Sequence, residues 1–353
     1  MKHLKLSVLV VGLFAFALQQ AHCGMKKFNA GHYVAVGAGF NLRDIEGLES
    51  DALVGVNKRY LWSELEPKKG EYDFSEIRKD LKYLKSINKR LVVFFTDKTF
   101  FPQSKHPVPN YMRHASMVNH VKGITTLKWH PEVIERQIIL CQKMSEEFDD
   151  NIFFEGFAYQ ESAPSIAYDK LDAIGYTPEL LRDGLIELLQ GSADAFPNSR
   201  IFWYMNFIPR KNEYLYDIAD ATYPYGVVMG GPDILPYRAS LERLEKLYTH
   251  FKGRMALFCS AQSDSYRHHK LDTNNNTKRR FHVGEVPIHP DGYLTPEEIF
   301  FHGRDKYHLD YIFWSYKTYQ MNDKRYPGDP NDYVFADALK VIEKYSDFNA
   351  KAK

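Results

Sequence analysis

Cysteine is scarce in this chain, with three residues among 353, too few for a disulfide framework to hold the fold. An excess of charge of either sign is missing too. The 46 Lys and Arg are matched by 45 Asp and Glu, which argues against nucleic acid or an anionic membrane surface as partner. Beyond the first 25 positions no apolar run approaches the roughly 20 residues of a spanning helix, so no membrane span is expected. Internal repeats, low-complexity tracts and linkers that would mark a second domain are absent as well. What is abundant is aromatic: 24 Tyr and 24 Phe, most of which must be core, the remainder suited to walls on which sugar faces stack.

The N-terminus has the layout of a removable secretory leader. Lys2 and Lys5 precede an apolar run from Leu6 to Leu18, and small or polar residues follow at Ala21, His22 and Cys23. The expected division is therefore a signal peptide over residues 1–23 and one domain over 24–353, secreted or periplasmic. Lipid anchoring at Cys23 is disfavoured by Gln20, which stands where an apolar residue would aid processing. Cys141 and Cys259 remain, expected on an outer helix and a distant inner strand and so unpaired.

Along the rest of the chain, short apolar runs alternate with helical patterns. The strand-like runs are Tyr33 to Ala38, Leu53 to Tyr60, Leu91 to Thr96, Ile152 to Ala158, Arg200 to Met205, Ala221 to Val228, Arg254 to Ser260 and Tyr311 to Trp314. Between them, Phe74, Ile77, Leu81 and Leu84 recur at helical spacing behind Asp73 and Glu76, which pattern as a capping box. Thr177-Pro178 and Thr295-Pro296 with Glu298 carry start signals in the favoured order. Gly37 and Gly39 begin a dinucleotide-loop pattern that Leu42 leaves incomplete. Eight strands alternating with helices predict the α/β class and a single (β/α)8 TIM barrel. Long loops follow strand 3 (Lys98 to Trp129) and strand 7 (Ala261 to Leu294), and loops of that length in a compact domain are usually functional.

In such a barrel the active site lies at the C-terminal ends of the strands. Those positions carry Arg59 and Trp62 (strand 2), Asp97 (3), Gln160 and Glu161 (4), Asn206 (5), Tyr225 and Asp233 (6), Gln262 and Asp264 (7) and Trp314 (8). A ring of polar groups between aromatic walls suits a sugar, whose hydroxyls need hydrogen-bonding partners while its C–H faces stack on rings. Each member also has a structural explanation: Arg59 as a buried ion pair, Asp97 and Asp233 as turn-shaping residues, Trp62 and Trp314 as core. His268 and His269 lack the spacing of a metal site, and no metal or other cofactor is expected. Asn275-Asn276-Thr277 fits a glycosylation acceptor only in a eukaryotic secretory pathway.

The segment from Gly55 to Phe95, GVNKRYLWSELEPKKGEYDFSEIRKDLKYLKSINKRLVVFF, resembles the second and third βα units of barrel glycoside hydrolases of the clan A type. They share an arginine on strand 2, a W-x-x-L-E-P-x-x-G-x-Y-D-F run and a helix leading to a K-R-L-V strand. The resemblance implies a carbohydrate substrate, Glu161 as acid/base, Arg59 as partner of a second carboxylate and Trp314 as the floor under the reacting sugar. Two departures stand out. Gln160 replaces the asparagine that normally precedes the acid/base, and Gln262 stands where strand 7 would carry the nucleophilic glutamate.

An amide cannot act as a carboxylate nucleophile, so chemistry needs another acid. Asp264 is nearest in sequence, with Asp233, Asp97 and Glu285 as rivals. The separation of the two carboxyls decides the outcome: ~5 to 5.5 Å for a retaining route, ~6.5 to 9.5 Å for inversion. The expected function is glycoside hydrolysis with Glu161 as general acid and Asp264 as its partner. The alternative is a catalytically impaired barrel that binds glycans or a partner protein. Sugar, linkage and oligomeric state are not encoded legibly.

Overall fold

The computed structural model describes residues 26–103, 105–234, 242–262, 265, 295–316 and 334–352, so the expected leader lies outside the described residues. Eight parallel strands close into a barrel in the order β1-β10-β9-β8-β7-β6-β3-β2. They are β1 Gly31–Val36, β2 Gly55–Leu61, β3 Arg90–Thr96, β6 Phe154–Tyr159, β7 Arg200–Tyr204, β8 Val228–Gly231, β9 Leu257–Ala261 and β10 Tyr311–Ser315. Strands β4 Ser116–Val118 and β5 Ile124–Thr126 form an antiparallel hairpin inside the long loop after β3. The fourth barrel strand is thus β6 and the seventh β9.

Alternation along each strand makes two cores. Val92, Phe94, Phe202, Tyr204, Phe258, Tyr311 and Phe313 fill the barrel interior, and their rings pack edge to face or stacked, Phe94 lying 4.8 Å from Tyr204. Intervening residues such as Val56, Val93, Phe157, Trp203 and Ile312 face the helices. Burying each such ring contributes about 1.5–3 kcal/mol, so much of the aromatic excess is spent on the barrel itself.

The helices that cover this outer face are α1 Trp62–Leu65, α2 Ser75–Ser86, α3 Pro131–Phe148, α4 Tyr168–Ala173, α5 Pro178–Ala195, α6 Tyr214–Thr222, α7 Glu242–Phe251, α8 Pro296–Phe301 and α9 Phe335–Lys344. The Thr295–Glu298 capping box forms as expected. The one expected at Asp73 does not, because α2 starts two residues later and Asp73 instead accepts a hydrogen bond from the Ser75 amide. No helix among the described residues is long and apolar enough to cross a membrane. Cys141 on α3 and Cys259 on β9 are buried and unpaired.

Several strand boundaries moved by two or three residues, and the sixth strand by more. Ile152 is 66% exposed and β6 begins only at Phe154. The sixth barrel strand is Val228–Gly231 rather than Ala221–Val228, because Ala221 and Thr222 close α6 and Tyr223–Tyr225 make a 3-10 turn ending on Gly226 at φ 74°.

The N-terminal end of the barrel is a stability face. A register shift between β3 and β6 turns Glu155 inward, where it accepts hydrogen bonds from the Asn29 amide at 2.8 Å, Asn29 Nδ2 at 2.7 Å and Tyr311 OH at 2.8 Å. Lys26 and Lys27 donate to carbonyls of Phe196 and Asp149 beneath it. The W-x-x-L-E-P run is structural too. Glu66 accepts from Trp62 Nε1 and the Gly70 amide and pairs with Arg136 of α3, which ties the turn after β2 to its neighbour.

Candidate functional site

Glu161 stands two residues past the end of β6, on the C-terminal face, its side chain 15% exposed. Two groups reach one of its oxygens. Lys98, just past β3, places Nζ 3.4 Å from Oε2, and Asn206, just past β7, donates through Nδ2 at 3.3 Å. The Lys98 side chain is wholly buried and also donates to the Ala163 carbonyl at 2.8 Å. Burial pushes its pKa down, with the charge of Glu161 acting against the shift.

Gln160 is buried and holds this corner in register. Its Oε1 accepts from the Asp97 and Lys98 amides at 2.9 and 2.7 Å, so the longer amide in place of asparagine binds backbone across to β3.

On this face the strand ends open into a cleft with about 560 Å³ of free space, lined on its polar side by Asn57, Arg59, Ser260, Gln262, Ser315 and Tyr316 and walled by Phe40, Phe94 and Phe313. Arg59 stacks over Phe94 at 4.3 Å. Burial holds its pKa below the ordinary value, opposed by Tyr204 and by the charge of Glu161. Tyr204 OH pairs with Ser260 Oγ at 2.9 Å, and Gln262 Nε2 donates to the Pro232 carbonyl at 2.8 Å.

Of the residues expected in the ring, Arg59 and Gln262 line this cleft, and Glu161, Gln160 and Asn206 stand at the same end of the barrel, the charge of Glu161 being felt by Arg59. Others do not line the cleft. Trp314 is fully buried on the outer face of β10, donating Nε1 to His32 Nδ1 at 3.0 Å, because the strand alternates and it is Phe313 and Ser315 that face inward. Trp62 packs on outward-facing Phe95 in the helical layer. Tyr225 lies ahead of β8, next to a turn that Arg200, the first residue of β7, contacts, and so belongs to the opposite end of the barrel. Asp97 is buried against α3 and the hairpin, bonded to Thr126, to Lys128 at 3.0 Å and to Gln137 at 3.1 Å. Burial acts to raise its pKa, yet Lys128 and these hydrogen bonds outweigh it and hold the carboxyl below its usual range. Asp233 does stand at this end of the barrel, two residues past β8 and half-buried, next to the Pro232 carbonyl that Gln262 binds, but it does not line the cleft, and its charge is felt by Cys259 and Tyr307. Asp264 and Glu285 lie outside the described residues.

Sequence reasoning missed Asn57, Lys98, Ser260, Phe313, Ser315 and Tyr316. Strand alternation carried the signal for two of them: Asn57 is two residues before Arg59, and Phe313 is the inward neighbour of Trp314.

No protein-family model and no curated protein sequence matches the chain. Solved structures do. The fold is that of barrel glycoside hydrolases. The β-galactosidase from Rahnella sp. R3 superposes with a TM-score of 0.56 at 9% identity over 93% of this chain. The exo-β-1,4-mannosidase Op5Man5 from Opitutaceae bacterium strain TAV5 gives 0.53 at 11% over 93%. The endo-glycoceramidase II from Rhodococcus sp., as its five-membered iminocyclitol complex, gives 0.51 at 11% over 90%. This chain spans 57% of the galactosidase, 61% of the mannosidase and 79% of the glycoceramidase.

Proposed function

We propose that the protein is an exported glycoside hydrolase whose substrate glycan lies across the C-terminal mouth of the barrel. Glu161 protonates the glycosidic oxygen as the bond to the anomeric carbon breaks. Asp264 is the partner carboxylate, either attacking that carbon to form a glycosyl-enzyme or activating the water that replaces the leaving group. The observation that carries this reading is the position of Glu161 on the face where barrels of this kind place their chemistry, its charge felt by Arg59 in a cleft of hydroxyls, amides and rings. Export rests on the leader pattern of residues 1–23 and is checked by the N-terminus of the mature protein. Glu161→Gln keeps shape and hydrogen bonding while removing the proton to be transferred. Turnover on a panel of glycans is expected to fall by about 10²-fold or more, and near-normal turnover would rule the assignment out.

A second reading has its own support. Gln262 ends the strand where a nucleophilic carboxylate is expected, and Glu161 is held by a buried lysine. On that reading the barrel binds glycans without cleaving them. Glycan binding unchanged by Glu161→Gln, with no cleavage by the parent protein, would select it.

A further inference from the structure

The cleft holds a cation that no carboxylate of the described residues touches. Arg59 lies on the inner face of β2 and lines the cleft, and among the described residues no carboxylate comes within 4.0 Å of its guanidinium. Glu161 acts on it only from farther away, its own near cation being Lys98. Two residues back on the same inner face, Asn57 is 1% exposed, lines the same cleft, and its Nδ2 has no acceptor among the described residues. The hydroxyls of Ser260 and Ser315 line the same wall.

The Asn57 N–H is fully buried and the Arg59 guanidinium partly so, and a donor withdrawn from water is costly when left without an acceptor. Both are donors, and one is charged. The group that satisfies both is an oxyanion, and guanidinium meets a carboxylate or sulfate through paired N–H···O bonds stronger than any hydroxyl makes. Phe40, only partly buried on the wall of the same cleft, leaves a sugar ring apolar surface to rest on.

We propose that the sugar residue bound at the base of the cleft is acidic, carrying a carboxylate or a sulfate ester that pairs with Arg59 and Asn57. This rests on the reading of the mouth as a glycan site. The substrate class is then an anionic oligosaccharide, and Gln262 is part of the same adaptation. A carboxylate at position 262 would compete for Arg59 and repel the anion, whereas an amide does neither.

Binding of matched-length oligosaccharides to the full chain is the test, measured by calorimetry at low salt with a neutral, a uronate-bearing and a sulfate-bearing series. One acidic series is expected to bind about tenfold or more tightly than the neutral one, and which acidic series it is identifies the oxyanion. Arg59→Gln should abolish that preference. So should Asn57→Asp, which is close to isosteric and sets a carboxylate beside Arg59, so the question is decided even where Arg59→Gln fails to fold. Equal binding of neutral and acidic series, or a preference that survives both substitutions, overturns the proposal and leaves the glycan site intact. Absence of binding by all three overturns the glycan reading itself.

Discussion

At the residue scale, the corner that carries Glu161 is built by backbone capture. Gln160 takes two amides of the chain leaving β3, which fixes Lys98, and Lys98 in turn reaches Glu161 and the Ala163 carbonyl. Replacing Gln160 with Met keeps the stem length and removes the acceptor, orphaning two buried N–H groups. A loss of roughly 1–3 kcal/mol per orphaned donor is expected, read from urea denaturation, with turnover or glycan affinity falling in the same variant because Lys98 loses its register. An unchanged urea midpoint would mean that water replaces the carboxamide there. From the sequence Gln160 reads as a sugar ligand, since side chains at strand ends usually face the cavity. Its backbone partners lie 62 and 63 residues away, and nothing local announces them.

At the element scale, β6 carries a glutamate toward each end with opposite duties. Glu155 faces the closed bottom and satisfies three donors, whereas Glu161 faces the open mouth. Glu155→Gln puts an N–H₂ group where only acceptors fit and leaves at least one donor unmatched. Stability should drop by about 1–3 kcal/mol while glycan affinity per folded molecule stays at the parent value. Glu161→Gln should instead lose function per folded molecule, with a stability cost of its own because the buried Lys98 loses its near carboxylate. Calorimetric titration of both variants at a temperature where both are folded checks the contrast. Strand and helix types were legible from periodicity, and seven of the eight barrel strands fall close to where their apolar runs lie. The sixth is displaced because Ala221-Thr222 extends an amphipathic helix and the strand proper is only four residues, Val-Met-Gly-Gly. The tryptophans were misplaced for a related reason. A one-residue difference in register moves a side chain from the cavity to the helical layer, and composition does not encode register.

At the scale of the whole molecule, closure of the barrel leaves groups sealed between layers. His32 sits in the outer core against Phe300 and Phe348, with Nδ1 accepting the Trp314 indole N–H. Burial pushes its pKa down to about 3, and that of His302 to about 4. Both folded values lie below the unfolded 6.5, so between those limits the unfolded chain binds more protons and stability falls as the pH falls. For His32 the slope is roughly 1.4 kcal/mol per pH unit below about 6.5. Urea midpoints at pH 7 and pH 5 should show the loss, and His32→Gln, which keeps an acceptor for Trp314, should lessen it. Equal slopes in parent and variant would remove His32 as the cause.

The sequence by itself determined the class of fold, because periodicity of apolar residues is a local property that fixes element type, and eight alternations of strand and helix leave closure as the economical arrangement. It also located Glu161, since the end of an apolar run marks the end of a strand. Which neighbours that glutamate meets, which aromatics face the cavity, and that Arg59 and Asn57 share a wall as donors unmatched among the described residues were decided only by the tertiary structure. Those facts depend on register and on contacts between segments far apart in the chain, where each side chain's partner is chosen by packing and not by its own type.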